Sequence, residues 1–495
     1  MNRSLPHWET RQGAIAGEVV LPGSPGYDSV RKPANARFYD VRPRAVVLCE
    51  APEDVSETVC FARRSELRRA TRSGGHCFAG RSSTEGIVID VSPMSSVSVS
   101  DDVTTVGAGA RLGDLYNALD EHGLTISAGC GPSAGISGFA LGGGLGILGR
   151  KHGLTSDRLL GAQIVLADGR VVECDEQRDG ELLWALRGAG GSFGVVTPLV
   201  FETLPAPAAT AFHLIWPHTH AAGVIDAWQA WVPYGPDELA ASLLLTAPGH
   251  IDRPPVVNLF GAMIGTESDT TELLDELVTR VGADPTSAFR KQMSYRETKR
   301  YLAELGDAMA GDDDRLGEAS RGEPSAEGHP YSKSEFFRRP LPAEAIVVLV
   351  EHLAKERVPG QSRKLDLTPW GGAYNRVPAD ATAFVHRDEL FLLQHTVIVD
   401  PDTSIADREG AQRWLARSWA STRPWGLEAC SRTFPTRTSK TGHTPTTGPT
   451  TTVWYAPKRG TIRTDSSAST NRSRIAFWET LHRLEGPQVG VGTGV

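Results

Sequence analysis

A glycine-dense segment constrains this chain more than any other feature of its sequence. Ten of the 25 residues from Gly129 to Gly153 are glycine. An earlier stretch, RSGGHCFAG (Arg72–Gly80), places His76 and Cys77 directly after a glycine pair. Glycine serves where the backbone turns through positive φ or approaches a ligand closely, and successive N–H groups in such turns bind anions. Two such loops suit a ligand with a pyrophosphate, whereas either loop alone would favour a tight turn between strand and helix.

Charge and hydropathy exclude several function classes. The 495 residues carry a net charge of −8, which argues against nucleic acid or an anionic membrane as the main partner. The sequence has no run of about 18 or more apolar residues, so we expect no membrane span, and the polar N-terminus predicts no signal peptide. We therefore expect a small-molecule substrate, while the oligomeric state is not readable.

The cysteines and histidines form no metal-binding pattern. The cysteines show no C-x-x-C pairing, and neither an H-E-x-x-H motif nor a metal-spaced His/Cys set occurs, so we expect no metal. Sparse, unpatterned cysteines favour reduced thiols and a cytoplasmic location. They are Cys49, Cys60, Cys77, Cys130, Cys174 and Cys430.

The order of predicted elements divides the chain into two domains and a tail. Strands and helices alternate from Val41 to about Thr203, and the proline-containing segment Pro205–Thr210 predicts a linker. Further on, strands such as LFLLQHTVIVD and ATAFVHR alternate with helices, which predicts an α+β domain. The polar stretch Ala308–Pro330 predicts a surface loop. We place the domains at residues 1–207 and 208–426, and residues 427–495 form an aberrant tail.

Several motifs occur in the order typical of one family. RSGGHCFAG, GISGFALGGGLGILGRKHGLTSDRLLGAQIVLADG and LRGAGGSFGVVT follow one another, and PWGGAYNRVPADATAFVHRDELFLLQ comes later. Together they resemble the berberine bridge enzyme-like oxidases, in the superfamily of vanillyl-alcohol oxidase and p-cresol methylhydroxylase (PCMH), over roughly residues 35–426. The resemblance implies an α+β fold with a two-part PCMH-type FAD-binding domain and a substrate domain built on an antiparallel sheet. It also implies FAD as the cofactor.

By this resemblance, His76 forms a covalent bond to the 8α-methyl group of the flavin. A neutral imidazole nitrogen is a nucleophile, so the residue type suits that bond. In many relatives a second bond joins the flavin to a cysteine directly before a proline, but here Gly131 precedes Pro132 and Cys130 lies one residue early. A one-residue offset on extended backbone redirects a side chain, so we expect no bond through Cys130. Cys77 should point away from the ring and pack.

The predicted cofactor contacts come from both glycine loops and a neighbouring strand. They are Arg72, Ser73, Gly74, Gly75, His76, Cys77, Gly80, Cys130, Gly131, Gly135, Ser137, Gly138, Gly142, Gly143, Gly146, Gly153, Leu154 and Val196.

On the substrate side, we name Tyr374 and Gln394 as candidate catalytic residues. Some relatives have a carboxylate at the position of Gln394, where it can act as a base. Glutamine cannot accept a proton, so that role falls to a tyrosine with a lowered pKa or to water. His395 should face the other side of the strand. His386 and Arg387 recur in the family motif, with structural and substrate-binding roles both open.

The segment YSKSEFF resembles one that lines the substrate entrance in the family. The alternative is an exposed helix start capped by Ser334. Sugar, alkaloid and polyketide substrates all remain open.

The family resemblance stops after Gly426. Half of the residues from Thr433 to Thr452 are threonine, a composition unlike the rest of the chain and unsuited to a core. We hypothesise that the reading frame has shifted by one base near Gly426, because one such shift can turn TSKTG and PKRGTIR into strings that resemble the family's last segment. The alternative is a genuine disordered tail.

The favoured function is an FAD-dependent oxidase. It would take a hydride from an alcohol, sugar or secondary-metabolite donor, and O2 would reoxidise the flavin to give H2O2. One alternative is a non-catalytic flavin-binding remnant, caused by the altered tail. Another is an NADPH-dependent flavin reductase on a related fold, which His76 disfavours because such reductases hold FAD non-covalently.

Overall fold

Residues 13–310 and 328–426 are described by the computed structural model of this chain. These described residues belong to one compact unit. The threonine-rich segment, the hypothesised frame shift and the tail 427–495 lie outside the described residues. The same holds for residues 311–327 of the predicted surface loop.

The first sheet is mainly parallel and has the strand order β1-β2-β4-β3. β4 is buried along its whole length and pairs in parallel with both β2 and β3, while β1 is antiparallel to β2. A strand covered on both faces requires such a continuous apolar run. The strands are β1 (Glu18–Val20), β2 (Ala45–Leu48), β3 (Arg69–Arg72) and β4 (Ile87–Asp90), and the helices are α1 (Tyr27–Val30) and α2 (Pro52–Arg64).

The second sheet is antiparallel. Its strands are β5 (Val97–Ser100), β6 (Val103–Gly107), β8 (Leu159–Val165), β9 (Val171–Asp175) and β10 (Val195–Glu202), in the order β5-β6-β10-β8-β9. A separate pair joins β7 (Leu124–Thr125) to β11 (Leu204–Pro205). The helices of this half are α3 (Leu112–Asp120), α4 (Ile136–Leu141), α5 (Gly149–His152) and α6 (Gly180–Leu186). A single apolar cluster contains residues of both sheets and of α2, α3 and α4, so the two sheets share one core.

The third sheet is large and antiparallel throughout, with the order β15-β12-β14-β13-β17-β18-β16. Its strands are β12 (Ala209–Pro217), β13 (Leu239–Ala247), β14 (Val256–Met263), β15 (Ser287–Met293), β16 (His329–Phe337), β17 (Gln361–Pro369) and β18 (Phe391–Val399). Its helices are α7 (Ala221–Trp231), α8 (Glu267–Val281), α9 (Tyr295–Ala310), α10 (Ala343–Ala354), α11 (Ala373–Arg376) and α12 (Ile405–Thr422). The predicted α+β class with an antiparallel sheet is confirmed.

The two faces of the third sheet differ in chemistry. On one face, alternate residues such as Leu365 and Leu393 join a core with residues of α7, α8, α10 and α12. On the other face, Leu302 and Leu305 of α9 pack with Ala262 of β14 and cover part of the sheet. On this second face, we call the part formed by β16, β17 and β18 the polar face, after its polar side chains such as Ser332, Lys364, Asp366, Thr368, Gln394 and Thr396.

Some local predictions were wrong. Half of the predicted linker Pro205–Thr210 belongs to strands, because β11 ends at Pro205 and β12 begins at Ala209. The segment ATAFVHR has neither strand nor helix, and its backbone instead hydrogen-bonds to Trp184 and Arg187. YSKSEFF lies in β16, so Ser334 caps no helix. The boundary at residues 207 and 208 stays a prediction.

No helix among residues 13–310 and 328–426 is long and apolar enough to cross a membrane. In the same residues, no cluster of three or more His, Cys, Asp or Glu side chains could hold a metal ion. The cysteines in this part of the chain are free thiols: Cys49, Cys60, Cys77, Cys130 and Cys174.

Candidate active site

The two glycine loops, which are far apart in the sequence, touch each other through their backbones. A Cβ added at Gly74 would overlap the amide nitrogen of Gly135 and lie 3.0 Å from the carbonyl oxygen of Ser133. A Cβ added at Gly135 would overlap the hydroxyl of Ser73. Only glycine permits so close an approach. The structure therefore brings the two predicted loops together as one cradle of backbone.

Both loops are fastened to the same backbone atom. The hydroxyls of Ser73 and Ser137 each donate a hydrogen bond of 2.8 Å to the carbonyl oxygen of Ala108, just after β6. Arg72 forms a buried ion pair of 2.8 Å with Asp90 and also donates to the backbone carbonyls of Val30 and Arg31 at the end of α1. These polar groups brace the cradle, and their contacts with a cofactor stay predictions.

His76 lies where the loops meet. Its side chain is accessible to solvent and forms a hydrogen bond with the backbone of Ser133. Desolvation by the surrounding protein disfavours the charged imidazolium and lowers the pKa of His76, and the positive charge of Arg111 lowers it further. The hydrogen bond to Ser133 acts in the opposite direction without reversing the shift. An accessible neutral imidazole is the nucleophilic form of this side chain.

The other predicted glycines divide into turns and open positions. Gly131 and Gly138 have no heavy atom within 4 Å of an added Cβ, so space for a ligand lies beside them. Positive φ angles, which favour glycine, occur at Gly75 (74°), Gly80 (71°), Gly143 (114°) and Gly153 (89°).

The remaining predicted cofactor residues shape the surroundings. Gly142 ends α4, and a Cβ at Gly146 would overlap the carbonyl oxygen of Ala128. Leu154 and Val196 are buried in apolar clusters. Direct contact of these four residues with a cofactor stays a prediction.

Cys130 lies beside a buried lysine behind the second loop. The ammonium of Lys299 on α9 donates to the carbonyl oxygen of Gly129 (2.9 Å), to that of Ala128 and to the hydroxyl of Tyr116 (2.6 Å). Burial lowers the pKa of Lys299 to about 8 and raises the pKa of Cys130. A thiol with a raised pKa is a weak nucleophile. This supports the prediction that Cys130 forms no bond to the flavin, which stays a prediction.

The polar face meets the glycine-dense segment along one row of cross-strand neighbours. At one end of the row, Phe260 of β14 packs in a cluster with Ile147. At the other end, Leu392 of β18 lies in a cluster with Leu154, which directly follows the segment, and Leu145 of the segment packs against this cluster. The pairing registers of β14, β13, β17 and β18 place both contacts in one row, in which Thr368 is the partner of Leu392. The glycine segment therefore crosses this face of the sheet.

Gln394 and Asp366 are direct partners in the next row. Residues i and i+2 of a strand lie on the same face about 7 Å apart, so both side chains lie close to the row that contacts the glycine segment. The amide of Gln394 donates to the hydroxyl of Thr396 at 3.2 Å. Gln394 therefore lies on the polar face, opposite the side to which His395 points. Its catalytic role stays a prediction.

Asp366 is the one acidic residue of the polar face as defined above, and sequence reasoning missed it. Its Oδ1 is buried and has no hydrogen-bond partner within the described residues. Desolvation raises the pKa of Asp366 to about 6, against the opposing effects of Lys364 and of a hydrogen bond from Thr368. The sequence did contain a signal for Asp366. In SRKLDLT, every second residue is polar or charged and Leu365 and Leu367 lie between them, which predicts a strand with one polar face that includes Asp366.

Tyr374 is buried in an aromatic stack. Its ring lies 4.4 Å from that of Trp370, and its hydroxyl donates to the carbonyl oxygen of Gly146 at 3.3 Å. Burial raises the pKa of Tyr374, which is the opposite of the lowered pKa that a tyrosine base requires, and its catalytic role stays a prediction. The hydroxyl of Tyr374 occupies the space beside Gly149, and a Cβ added at Gly149 would overlap it.

The recurring histidine and arginine of the HRDE segment have structural partners. Arg387 forms two hydrogen bonds to buried Asp157, at 2.6 and 2.9 Å, and Asp157 also accepts from the amide of Leu154. His386 stacks on Phe336 at 4.1 Å. The motif therefore ties the loop before β18 to the turn that follows the glycine-dense segment.

His395 faces the helix layer, as predicted from its place next to Gln394. It is fully buried, with Nδ1 2.9 Å from the hydroxyl of Ser418 on α12. Burial lowers the pKa of His395 to about 3, so this side chain stays neutral.

Comparisons with known proteins agree with this geometry. Residues 43–175 match the family model of the FAD binding domain. The berberine bridge enzyme-like D-1 of Nicotiana tabacum is 29% identical over 407 residues, which are 77% of this chain and 69% of that protein. The uncharacterized FAD-linked oxidoreductase YvdP of Bacillus subtilis is 32% identical over 388 residues, which are 77% of this chain and 82% of that protein. This chain belongs to the berberine bridge enzyme-like FAD-linked oxidoreductases. The solved structure of Physcomitrella patens BBE-like 1 shares the fold, with a TM-score of 0.74, 24% identity and coverage of 86% of this chain and 91% of that one.

The residues of this berberine bridge enzyme-like protein fit its FAD cofactor. The cradle of Gly74 and Gly135 leaves backbone free of side chains, open space adjoins Gly131 and Gly138, and His76 is accessible at the contact between the loops. Such features allow close backbone approach to a pyrophosphate. FAD, when bound, supplies an acceptor for a hydride, and the protein supplies its binding and orientation.

Proposed function

We propose that this berberine bridge enzyme-like protein is an oxidase that holds FAD through a covalent bond from His76 alone. Its donor is a small alcohol, sugar or secondary metabolite, and O2 is the final acceptor, giving H2O2. The single observation that carries the proposal is His76, accessible and with a lowered pKa at the contact of two glycine loops. A neutral imidazole there has the nucleophilic nitrogen that a tether requires.

The chain's own residues divide the work between binding and positioning. The glycine cradle binds the cofactor, and Ser73 and Ser137 keep its two loops together through the carbonyl of Ala108. The amide of Gln394 lies on the polar face and can both donate and accept a hydrogen bond, so it can orient a donor hydroxyl. The face is rich in hydroxyl and amide groups, which suits a polar substrate.

The tether is tested by acid precipitation of protein produced with ample riboflavin. We expect the yellow colour to stay with the precipitated wild-type protein and with a Cys130→Ser variant. A His76→Ala variant should release all its flavin into the supernatant. Release of the flavin by the wild-type protein would contradict a covalent bond, and retention by His76→Ala would move the bond to another residue.

The reaction class is tested with a panel of sugars and of primary and secondary alcohols. We expect at least one donor to bleach the flavin absorption without oxygen and to give H2O2 in air. Bleaching by NADPH with no donor effective would favour a flavin reductase. A protein that keeps its flavin and responds to neither would be a non-catalytic remnant.

A further inference from the structure

We propose that Asp366 is the catalytic proton acceptor of this protein and takes the hydroxyl proton of the donor. This inference rests on the proposed oxidase function. It assigns the role to β17 and leaves Gln394, on β18, as a positioning residue.

The first support is the place of Asp366 in the sheet. It is the direct cross-strand partner of Gln394 and lies two residues from Thr368, whose own partner Leu392 belongs to an apolar cluster against which Leu145 of the glycine segment packs. A carboxylate at this point is therefore one row from a cluster that contacts the glycine segment.

The second support is an unpartnered oxygen. Oδ1 of Asp366 is buried and, within the described residues, accepts no hydrogen bond. Buried polar atoms in native proteins nearly always have a partner, so an orphaned acceptor beside a binding site calls for a donor from a ligand. A substrate hydroxyl supplies that O–H group.

The groups that face Asp366 allow it to change protonation near neutral pH. Its own strand contributes Lys364 and Thr368, β18 contributes Gln394, and β13 contributes Leu244. Lys364 is the charged group among them, and its ammonium also donates to the carbonyl oxygen of Met309 at 2.8 Å. Desolvation outweighs this charge and raises the pKa of Asp366 to about 6. A base with a pKa near the working pH is most effective.

The step balances in atoms and electrons. The donor's O–H bond breaks and its proton passes to Oδ1 of Asp366, while the C–H hydrogen leaves with its electron pair as a hydride, and the C–O bond becomes C=O. The proposed cofactor chemistry accepts the hydride. The hydride, the proton released later by Asp366, and O2 together make one H2O2.

The test compares Asp366→Asn with the matched variant Asp402→Asn, whose site is an exposed turn after β18. With a donor found in the panel, we expect kcat/KM to fall about 100- to 10,000-fold in Asp366→Asn and to stay unchanged in Asp402→Asn. The acidic limb of the wild-type pH profile, with a pKa about 6, should disappear in Asp366→Asn. Donor affinity, read from the change in flavin absorption on binding, should change less than about 10-fold, since the amide keeps the shape.

A second measurement does not depend on turnover. Infrared spectra of the wild-type holoprotein should show a protonated carboxyl band that titrates near pH 6 and is missing in Asp366→Asn. Retention of the rate and of the acidic limb in Asp366→Asn, or no such carboxyl in the wild-type protein, would overturn the inference while the oxidase function stands. A wild-type protein that oxidises no donor would instead overturn the proposed function, and this inference with it.

Discussion

The glycine cradle and the polar face meet in one molecule but are built in opposite ways. The cradle works because side chains are missing, so that the backbones at Gly74 and Gly135 touch. The polar face works because side chains are present, on alternate positions of neighbouring strands. A site made of backbone depends on short local motifs, whereas a site made of strand residues depends on register between segments that are distant in sequence.

The largest expected effect on stability comes from removing Arg387, the buried partner of Asp157. In Arg387→Met, the Asp157 carboxylate loses its two charge-assisted hydrogen bonds in a buried place. We expect the free energy of unfolding to fall by about 3–5 kcal/mol, which urea denaturation measures. The matched control is Lys355→Ala, which removes an exposed pair of 2.8 Å with Glu351 and should leave the free energy of unfolding nearly unchanged. Equal losses of unfolding free energy in the two variants would show that the buried pair stabilises the protein no more than the exposed pair does.

The cradle itself is tested by Gly74→Ala. The added Cβ would overlap backbone of Gly135, which no rotamer change relieves. We expect a loss of about 1–3 kcal/mol in unfolding free energy, and a lower flavin content measured from the absorption of purified protein. Gly306→Ala on α9 is the control, because nothing lies within 4 Å of its Cβ, and it should gain up to about 1 kcal/mol. A Gly74→Ala protein with normal stability and flavin would refute the close contact.

The last effect tests the description of the polar face and appears only as a dependence on pH. The folded-state pKa of Asp366 is raised to about 6, so its favourable neutral form is lost as the pH rises from about 4 to about 6. Asp366→Asn should therefore match the wild-type protein near pH 4 and be more stable by up to about 3 kcal/mol above pH 7, because the pKa is raised by about two units and the amide never ionises. Thermal unfolding at several pH values measures this difference. A constant difference across pH would mean that Asp366 titrates normally.

The cradle could be predicted from the sequence because its determinants are local. The run RSGGHCFAG contains both the turn residues and His76, and the structure places that run against Gly135. The contact between the two loops and their shared bond to Ala108 could not be predicted, because it depends on how the two sheets pack.

The polar face was harder to predict for a physical reason. Gln394 came from a motif, but its partner Asp366 is fixed by the register of β17 against β18, and a shift by one residue would turn it to the helix layer. The role of Arg387 was open for the same reason, since its partner Asp157 is 230 residues away. The pKa of Tyr374 could not be read from sequence because burial, rather than any neighbour in the motif, raises it.

The contact between Gly149 and Tyr374 has a consequence for how this protein can change over generations. A methyl group at position 149 has no room while the hydroxyl of Tyr374 is present. A larger residue at position 149 is tolerated only after Tyr374 has been replaced by a smaller residue. If position 149 changes first, its new side chain clashes with the hydroxyl of Tyr374. The two positions should therefore be inherited as a pair, and engineers who redesign either one should change 374 first.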